Sequence, residues 1–161
     1  VRTRLENIVL IGMPGSGKSS AAKLLGQALG REVVECDAYI EEQVGKSIPE
    51  IFAEDGEQAF RRLETEALRE LGKRSGIILS TGGGCVTRSE NYPLLHQNGT
   101  IFWLLRSPWK LPSEGRPLSQ AESAEAMYAR REPMYRRFAD VKIDNEGALE
   151  RAVEMIRRYV E

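Results

Sequence analysis

The sequence predicts an α/β protein in which a five-stranded parallel sheet is flanked by helices on both faces. Short apolar stretches alternate with longer amphipathic stretches along the 161 residues, and this alternation is typical of a parallel sheet covered on both sides. Glycine-rich segments follow two of the apolar stretches, at the strand ends where such sheets bind ligands. The sequence contains no internal repeat that would indicate a different architecture.

The first half of the chain supplies three of the predicted strands. Each is short and apolar, and they span residues 7–12, 33–37 and 77–79. The predicted helices between them have apolar residues three or four positions apart, and they span Lys18–Leu29, 38–44, 47–53 and 56–74. Ser47 and Glu50 form a predicted capping box at the start of the third helix.

The second half supplies two more strands, at residues 100–105 and 141–143. The predicted helices here span residues 89–97, 121–131, 133–138 and 147–159. We divide the helical stretch at Pro133 because proline lacks the helical hydrogen-bond donor and favours a helix start. Residues 107–119 contain three prolines and a glycine and are predicted to form a loop.

Charge and hydrophobicity exclude several classes of function. The formal net charge of −1 argues against a surface built for nucleic acid or for an anionic membrane. No apolar run approaches the roughly 20 residues of a membrane-spanning helix, and the N-terminal VRTRLEN lacks the apolar core of a signal peptide. We therefore expect residues 1–161 to form a single cytoplasmic domain that acts as a monomer.

The segment GMPGSGKSS, at residues 12–20, matches the phosphate-binding loop pattern Gly-x-x-x-x-Gly-Lys-Ser. The glycines let successive amides point at phosphate oxygens, and the following helix N-terminus attracts negative charge. We expect Lys18 to reach the β- and γ-phosphates of a nucleotide and the Ser19 hydroxyl to bind Mg²⁺. The predicted nucleotide-binding residues of this loop are Gly12, Pro14, Gly15, Ser16, Gly17, Lys18, Ser19 and Ser20.

Among proteins with this loop, the sequence favours a small-molecule kinase. It lacks the Asn-Lys-x-Asp motif of GTPases, and no predicted strand has the four apolar residues and final Asp of motor or transporter ATPases. The acids expected nearest the loop are Glu35 and Asp37, at the end of the second strand. Asp37 could orient an acceptor hydroxyl and take its proton, or it could cap the helix at 38–44.

Three arginines and a glycine triplet are candidate substrate-binding groups. Arg61 and Arg136 lie among apolar residues, and two such arginines can hold one carboxylate, although each could instead form a structural ion pair. The triplet at 82–84 leaves backbone amides open to a substrate, unless it is a plain turn. Arg116 could close over the phosphates, or it could remain solvated in its loop.

Together these segments resemble the shikimate kinase family, in order and over most of the chain. The matching segments are GMPGSGKS, Asp37 with YIE at 39–41, SI and IF at 47–52, DGEQAFRRLE at 55–64, STGGG at 80–84, GRPL at 115–118 and REPMYRR at 131–137. The resemblance implies a P-loop kinase fold with a substrate-binding helical region at about 38–63 and a short lid at about 107–119. It also implies phosphorylation of the 3-hydroxyl of shikimate by ATP with Mg²⁺, on the pathway to aromatic amino acids.

The resemblance further implies roles on the acceptor side of the site. Asp37 would hold the acceptor hydroxyl, and Arg61 and Arg136 would hold the shikimate carboxylate. The backbone around Gly82, Gly83 and Gly84 would hold the ring hydroxyls.

On the donor side, the resemblance implies that Lys18 and Arg116 stabilise the phosphoryl group during transfer. Arg116 would also contact the nucleotide. Ser19 would bind magnesium, together with Glu35, which stands where the family usually has aspartate.

Two alternatives remain open from the sequence. A kinase of another small hydroxy acid would be favoured if Arg61 or Arg136 pointed away from the pocket. A nucleotide-binding regulator would bind ATP but show no turnover stimulated by an acceptor.

Overall fold

A five-stranded parallel sheet forms the centre of the computed structural model, which describes residues 6–111 and 122–161. The strands are β1 (Asn7–Ile11), β2 (Val33–Glu35), β3 (Ile78–Ser80), β4 (Gly99–Leu105) and β5 (Val141–Asp144). Their order is β2-β3-β1-β4-β5, and every neighbouring pair is parallel. The predicted sheet is confirmed, and its parallel strands all end at one edge, where ligands of such sheets bind.

Seven α-helices surround this sheet in the described residues. They are α1 (Lys18–Leu29), α2 (Cys36–Val44), α3 (Ile48–Asp55), α4 (Glu57–Leu71), α5 (Asn91–His96), α6 (Ala124–Phe138) and α7 (Leu149–Val160). Short 3₁₀ turns occupy Cys85–Thr87 and Pro108–Lys110. Within this part of the chain, no helix combines the length and apolar character needed to cross a membrane.

Alternation along β1 divides its apolar residues between two cores. Ile8 and Leu10 pack with α1 and α7 on one face of the sheet. Val9 and Ile11 face the opposite side, where they join the core contributed by α2, α3, α4, α5 and α6. Because successive strand residues point to opposite faces, this pattern produces the helical cover on both faces that the sequence predicts.

Two differences from the predicted element boundaries affect the site. Strand β2 ends at Glu35 and α2 begins at Cys36, so Asp37 lies in the first turn of a helix rather than at the end of a strand. The prediction of two helices divided at Pro133 is wrong, because α6 runs unbroken from Ala124 to Phe138 with Pro133 inside it. Its buried face is continuous across the proline, and that packing outweighs the missing backbone donor.

Candidate active site

The loop between β1 and α1 has the backbone geometry that its glycines predict. Gly15 and Gly17 have φ angles of 81° and 101°, which residues with a Cβ rarely adopt. A Cβ on Gly17 would also lie 2.7 Å from the side-chain nitrogen of Asn145, and one on Gly12 would lie 2.7 Å from the Leu104 carbonyl oxygen. Both conformation and space therefore require glycine in this loop.

Backbone amides line this loop and the start of α1. Five of these amides, those of Gly15 and of residues 17–20, donate to no protein acceptor among the described residues. The Ser16 amide instead donates to the Met13 carbonyl at 3.0 Å. Unpaired amides at a helix N-terminus form a binding site for an anion, so the loop fits a phosphate group.

Lys18 extends from the first turn of α1 back across the loop. Its ammonium donates to the carbonyl oxygens of Gly12 at 2.7 Å and Met13 at 3.0 Å, and the residue is only 8% exposed. Burial lowers the pKa of Lys18 to about 8, although the nearby Asp37 carboxylate opposes this shift. The ammonium is therefore charged at neutral pH, and it loses that charge under mildly alkaline conditions.

We expect nucleotide binding to weaken as the pH rises through the pKa of Lys18. Phosphate oxygens favour the charged ammonium, so above about pH 8 binding must first add a proton to Lys18. The Kd for Mg–ADP should rise about tenfold from about pH 7 to about pH 9, measured by calorimetry. The Lys18→Arg variant keeps its charge and should show a flatter profile; a flat wild-type profile would contradict this role.

Ser19 and Glu35 lie together beside the loop. The Ser19 hydroxyl donates to Glu35 Oε1 at 3.0 Å. A hydroxyl and a carboxylate suit Mg²⁺, which commonly takes only one or two protein ligands and completes its shell with phosphates and water. The described residues contain no group of three or more His, Cys, Asp or Glu that could hold a metal.

Asp37 faces the loop from the first turn of α2. The residue at the cap position of this helix is Glu35, so the alternative that Asp37 is the helix cap is wrong. Asp37 remains exposed to solvent, yet surrounding protein raises the pKa of its carboxyl group by desolvation, against the charges of Lys18 and Arg61. A carboxylate between two cations, free of structural hydrogen bonds in the described residues, is available to an incoming hydroxyl.

Arg61 is buried on α4 and directed at the same cleft. It is 4% exposed, and it donates to Glu64 at 2.9 Å and to Glu57 at 3.4 Å. Glu64 is fully buried, and burial raises its pKa to about 7 despite the attraction of Arg61. The buried Nε of Arg61 has no partner in the described part of the chain. Arg61 therefore forms the structural ion pair that the sequence analysis left open, and its charge also lies close enough to Asp37 to act on the pKa of that carboxyl group.

Residues 82–84 connect these groups through close packing. A Cβ on Gly82 would lie 2.8 Å from Asp37 Oδ1, and one on Gly83 would lie 2.7 Å from Pro14 Cδ. One on Gly84 would overlap the guanidinium of Arg61. None of the three glycines has a positive φ angle, so space rather than backbone freedom requires them. The triplet does form a turn, in which the Cys85 amide donates to the Gly82 carbonyl at 3.3 Å, and it also packs against the acid, the loop and the arginine, so its contact with a substrate stays a prediction.

Arg136 does not join this cluster. Its side chain is 67% exposed and pairs with Glu132 one turn earlier on α6. Arg131 on the same helix is instead 4% exposed, and its charge acts on the pKa of both Lys18 and Glu64, although burial is the larger influence on each. The two arginines are five residues apart, which is about 140° around a helix, so they cannot share a face.

The sequence analysis missed Arg131 because it divided α6 at Pro133. With the helix unbroken, the buried residues Met127, Arg131, Tyr135 and Phe138 form one row with helical spacing. That spacing is visible in the sequence and would have selected Arg131. In the described residues Arg131 forms no ion pair, so its positive charge lacks a directly bonded carboxylate and would favour an anionic ligand close by.

Tyr135, also missed, links α6 to the glycine triplet. Its hydroxyl donates to the Gly83 carbonyl at 2.6 Å, and its ring stacks on Trp103 with centroids 5.8 Å apart. The side chain is fully buried. Tyr135 therefore helps to fix the position of the Gly83 peptide group.

Arg116 lies outside the described residues, as does most of the loop predicted at 107–119, so its role stays a prediction. The described end of that loop is tied to the turn after β5. The amide of Ser107 donates to the Glu146 carboxylate at 2.9 Å, as does its hydroxyl, and Lys110 lies 3.4 Å from the same group.

Comparisons with known proteins agree with this geometry. A family model described as shikimate kinase matches residues 14–161. A shikimate kinase of Parasynechococcus marenigrum is 42% identical over 140 residues, which cover 81% of this chain and 73% of that protein. A shikimate kinase of Halorhodospira halophila is 38% identical over 166 residues, covering 97% of this chain and 92% of that protein.

A solved structure has the same fold over almost the whole chain. It is described as shikimate kinase from Acinetobacter baumannii in complex with shikimate, and it superposes with a TM-score of 0.88 at 36% identity. The match covers 97% of this chain and 93% of the solved one. A shikimate kinase from Aquifex aeolicus superposes with a TM-score of 0.80 at 28% identity.

Proposed function

The chain belongs to the shikimate kinase family, and we propose that it transfers the γ-phosphoryl group of ATP to the 3-hydroxyl of shikimate with Mg²⁺. The observation that carries this proposal is the cleft in which a phosphate-binding loop faces Asp37 and two buried arginines. The A. baumannii relative is described in complex with shikimate, which has both the carboxylate and the hydroxyls that such a cleft could bind.

The donor half of the cleft would bind the nucleotide through its backbone. The unpaired amides of residues 15 and 17–20 would hold the phosphates, and Lys18 would leave its carbonyl partners to contact the transferring group. Ser19 and Glu35 would hold Mg²⁺, which supplies positive charge against the phosphate oxygens. Arg116 would neutralise further charge on these oxygens.

The acceptor half would bind shikimate through its carboxylate. Arg61 and Arg131 are both buried, and both charges act on the pKa of Glu64, so this pair replaces the pair of Arg61 and Arg136 that the sequence predicts. Two guanidinium groups can hold one carboxylate and orient the ring. Backbone groups of residues 82–84 would contact the ring hydroxyls.

Asp37 would then orient the reacting hydroxyl. Its carboxylate accepts the hydrogen bond of the 3-hydroxyl, whose oxygen attacks the γ-phosphorus as the bond from that phosphorus to the β,γ-bridging oxygen breaks. The hydroxyl proton passes to Asp37 late in the transfer, and ADP leaves. Positioning and charge stabilisation supply most of the rate enhancement in such reactions.

The proposal is tested by measuring the rate of ADP release from ATP and Mg²⁺, with and without shikimate, in an enzyme-coupled assay. We expect little release without shikimate and a turnover with shikimate in the usual kinase range, about 1–100 s⁻¹. The exposed position of Arg136 is the one observation that favours a different hydroxy acid, so the assay includes a panel of these acids. If only another hydroxy acid stimulated ADP release, that acid and not shikimate would be the acceptor. Binding of ATP without turnover stimulated by any acid would favour a nucleotide-binding regulator over a kinase.

A further inference from the structure

Asn145 connects the end of β5 to the phosphate-binding loop. The residue is 1% exposed, and its backbone amide donates to the Leu105 carbonyl at 2.9 Å, which fixes its position beyond the sheet edge. Its side-chain amide donates to the Ser16 carbonyl at 2.7 Å, across 129 residues of sequence. The contact therefore depends on the tertiary fold and does not arise from local helix structure.

The Ser16 carbonyl has no other donor in the part of the chain that the structure describes. In a regular helix the amide four residues later, that of Ser20, would donate to it, but here that amide is unpaired. Asn145 thus supplies the hydrogen bond that the helix does not, and it holds this carbonyl outside the helical pattern.

Fixing this carbonyl also fixes the next amide. The peptide bond between Ser16 and Gly17 is trans, since the described residues contain no cis peptide, so its carbonyl and its N–H point in opposite directions. With the Ser16 carbonyl turned toward Asn145, the Gly17 N–H points away from Asn145, where it has no protein acceptor. A Cβ on Gly17 would lie 2.7 Å from the side-chain nitrogen of Asn145, so Asn145 also occupies the space beside residue 17.

We propose that Asn145 is a positioning residue that orients the Gly17 amide toward the nucleotide phosphates. The inference rests on the proposed use of ATP, and it assigns Asn145 to the donor half of the cleft and not to the shikimate-binding half. Loss of the Asn145 side chain should therefore weaken nucleotide binding specifically.

The side chain of Asn145 allows a clean substitution. Its Oδ1 is buried and has no hydrogen-bond partner among the described residues. Leucine has nearly the same size and removes this unpaired acceptor, so the main change in Asn145→Leu is the loss of the hydrogen bond to the Ser16 carbonyl, and thermal unfolding measures what that loss costs the fold. The Asn145→Asp variant is a second test, because it keeps the shape but places a carboxylate oxygen against the Ser16 carbonyl.

Asn7 offers a matched control at the opposite end of the sheet. It is also buried, and its side chain also binds loop backbone, donating to the Arg74 carbonyl at 2.8 Å and accepting from the Ile77 amide at 3.0 Å. Asn7→Leu removes comparable bonds far from the phosphate-binding loop. A purely structural effect of losing a buried asparagine should appear equally in this variant.

The experiment measures the Kd of Mg–ADP by calorimetry for the full chain and the three variants, alongside thermal unfolding. We expect Asn145→Leu to raise the Kd about tenfold, the loss expected for one well-placed hydrogen bond, and Asn145→Asp to raise it at least as much. Asn7→Leu should lower the melting temperature and leave the Kd unchanged. In turnover assays, the KM for ATP should rise while the KM for shikimate stays the same.

An unchanged Kd in folded Asn145→Leu or Asn145→Asp protein overturns the inference, as does an equal rise in Asn7→Leu. This readout is independent of the acceptor. If the wild type binds Mg–ADP but shikimate does not stimulate turnover, the proposed function fails while the comparison of Kd values still decides the role of Asn145.

Discussion

Replacement of Asp37 by asparagine is expected to lower kcat about a thousandfold, within the range of general-base contributions. The amide keeps the size of the side chain but cannot take the proton of the acceptor hydroxyl. Asp37 is free of structural hydrogen bonds in the described residues, and its carboxylate lies against Gly82, so the change should not alter the fold. Affinity for Mg–ADP, measured by calorimetry, should stay within about threefold of the wild type, less than one hydrogen bond contributes.

Glu42→Gln is the control for this substitution. Glu42 is exposed on the same helix, so the same loss of one negative charge should leave kcat nearly unchanged. If Asp37→Asn retained most of the wild-type kcat, the carboxylate would have no part in proton transfer. If it lost ADP affinity to the same extent as kcat, Asp37 would serve the nucleotide instead.

Replacement of Arg131 by methionine is expected to lower kcat/KM for shikimate strongly. Substitution by methionine keeps the packing of the long side chain but removes its charge from a buried position near Glu64 and Lys18. Removing one partner of a buried charged contact costs about 2–5 kcal/mol, so kcat/KM for shikimate should fall by between about thirtyfold and about four thousandfold. Most of this loss should lie in the KM for shikimate, measured at saturating ATP.

Arg136→Met is the matched variant on the same helix. Because Arg136 is exposed and pairs only with Glu132 among the described residues, its loss should change kcat/KM by no more than about threefold. If Arg136→Met lowered kcat/KM more than Arg131→Met, the carboxylate would be bound by Arg61 and Arg136, as the sequence alone predicts. Equal losses would indicate that both arginines act on the acceptor.

Most of the fold is predictable from the sequence because it depends on local patterns. The strands are short apolar stretches and the helices are amphipathic, so burial of apolar residues on two faces selects one arrangement. The loop at 12–20 is predictable for the same reason, since its glycines, Lys18 and Ser19 act within one continuous segment.

The errors arise where long-range contacts outweigh local preference. Pro133 favours a helix start locally, yet the buried row on α6 continues through it. In the unbroken helix it is Arg131, and not Arg136, that lies on the buried face. Tyr135 and Asn145 are absent from the predicted site because their partners, Gly83 and Ser16, lie 52 and 129 residues away. Neither residue type has a spacing pattern that would indicate such partners.

The packing around residues 82–84 has a consequence for engineering the acceptor range. A side chain at any of these three positions would displace Asp37, Pro14 or Arg61, so mutant libraries that vary them should yield mostly inactive proteins rather than altered specificity. The three glycines therefore constrain how closely Asp37, the phosphate-binding loop and Arg61 approach one another. Selection for phosphorylation of a different alcohol should therefore accumulate changes on α2, α3 and α4, and the triplet should survive unchanged.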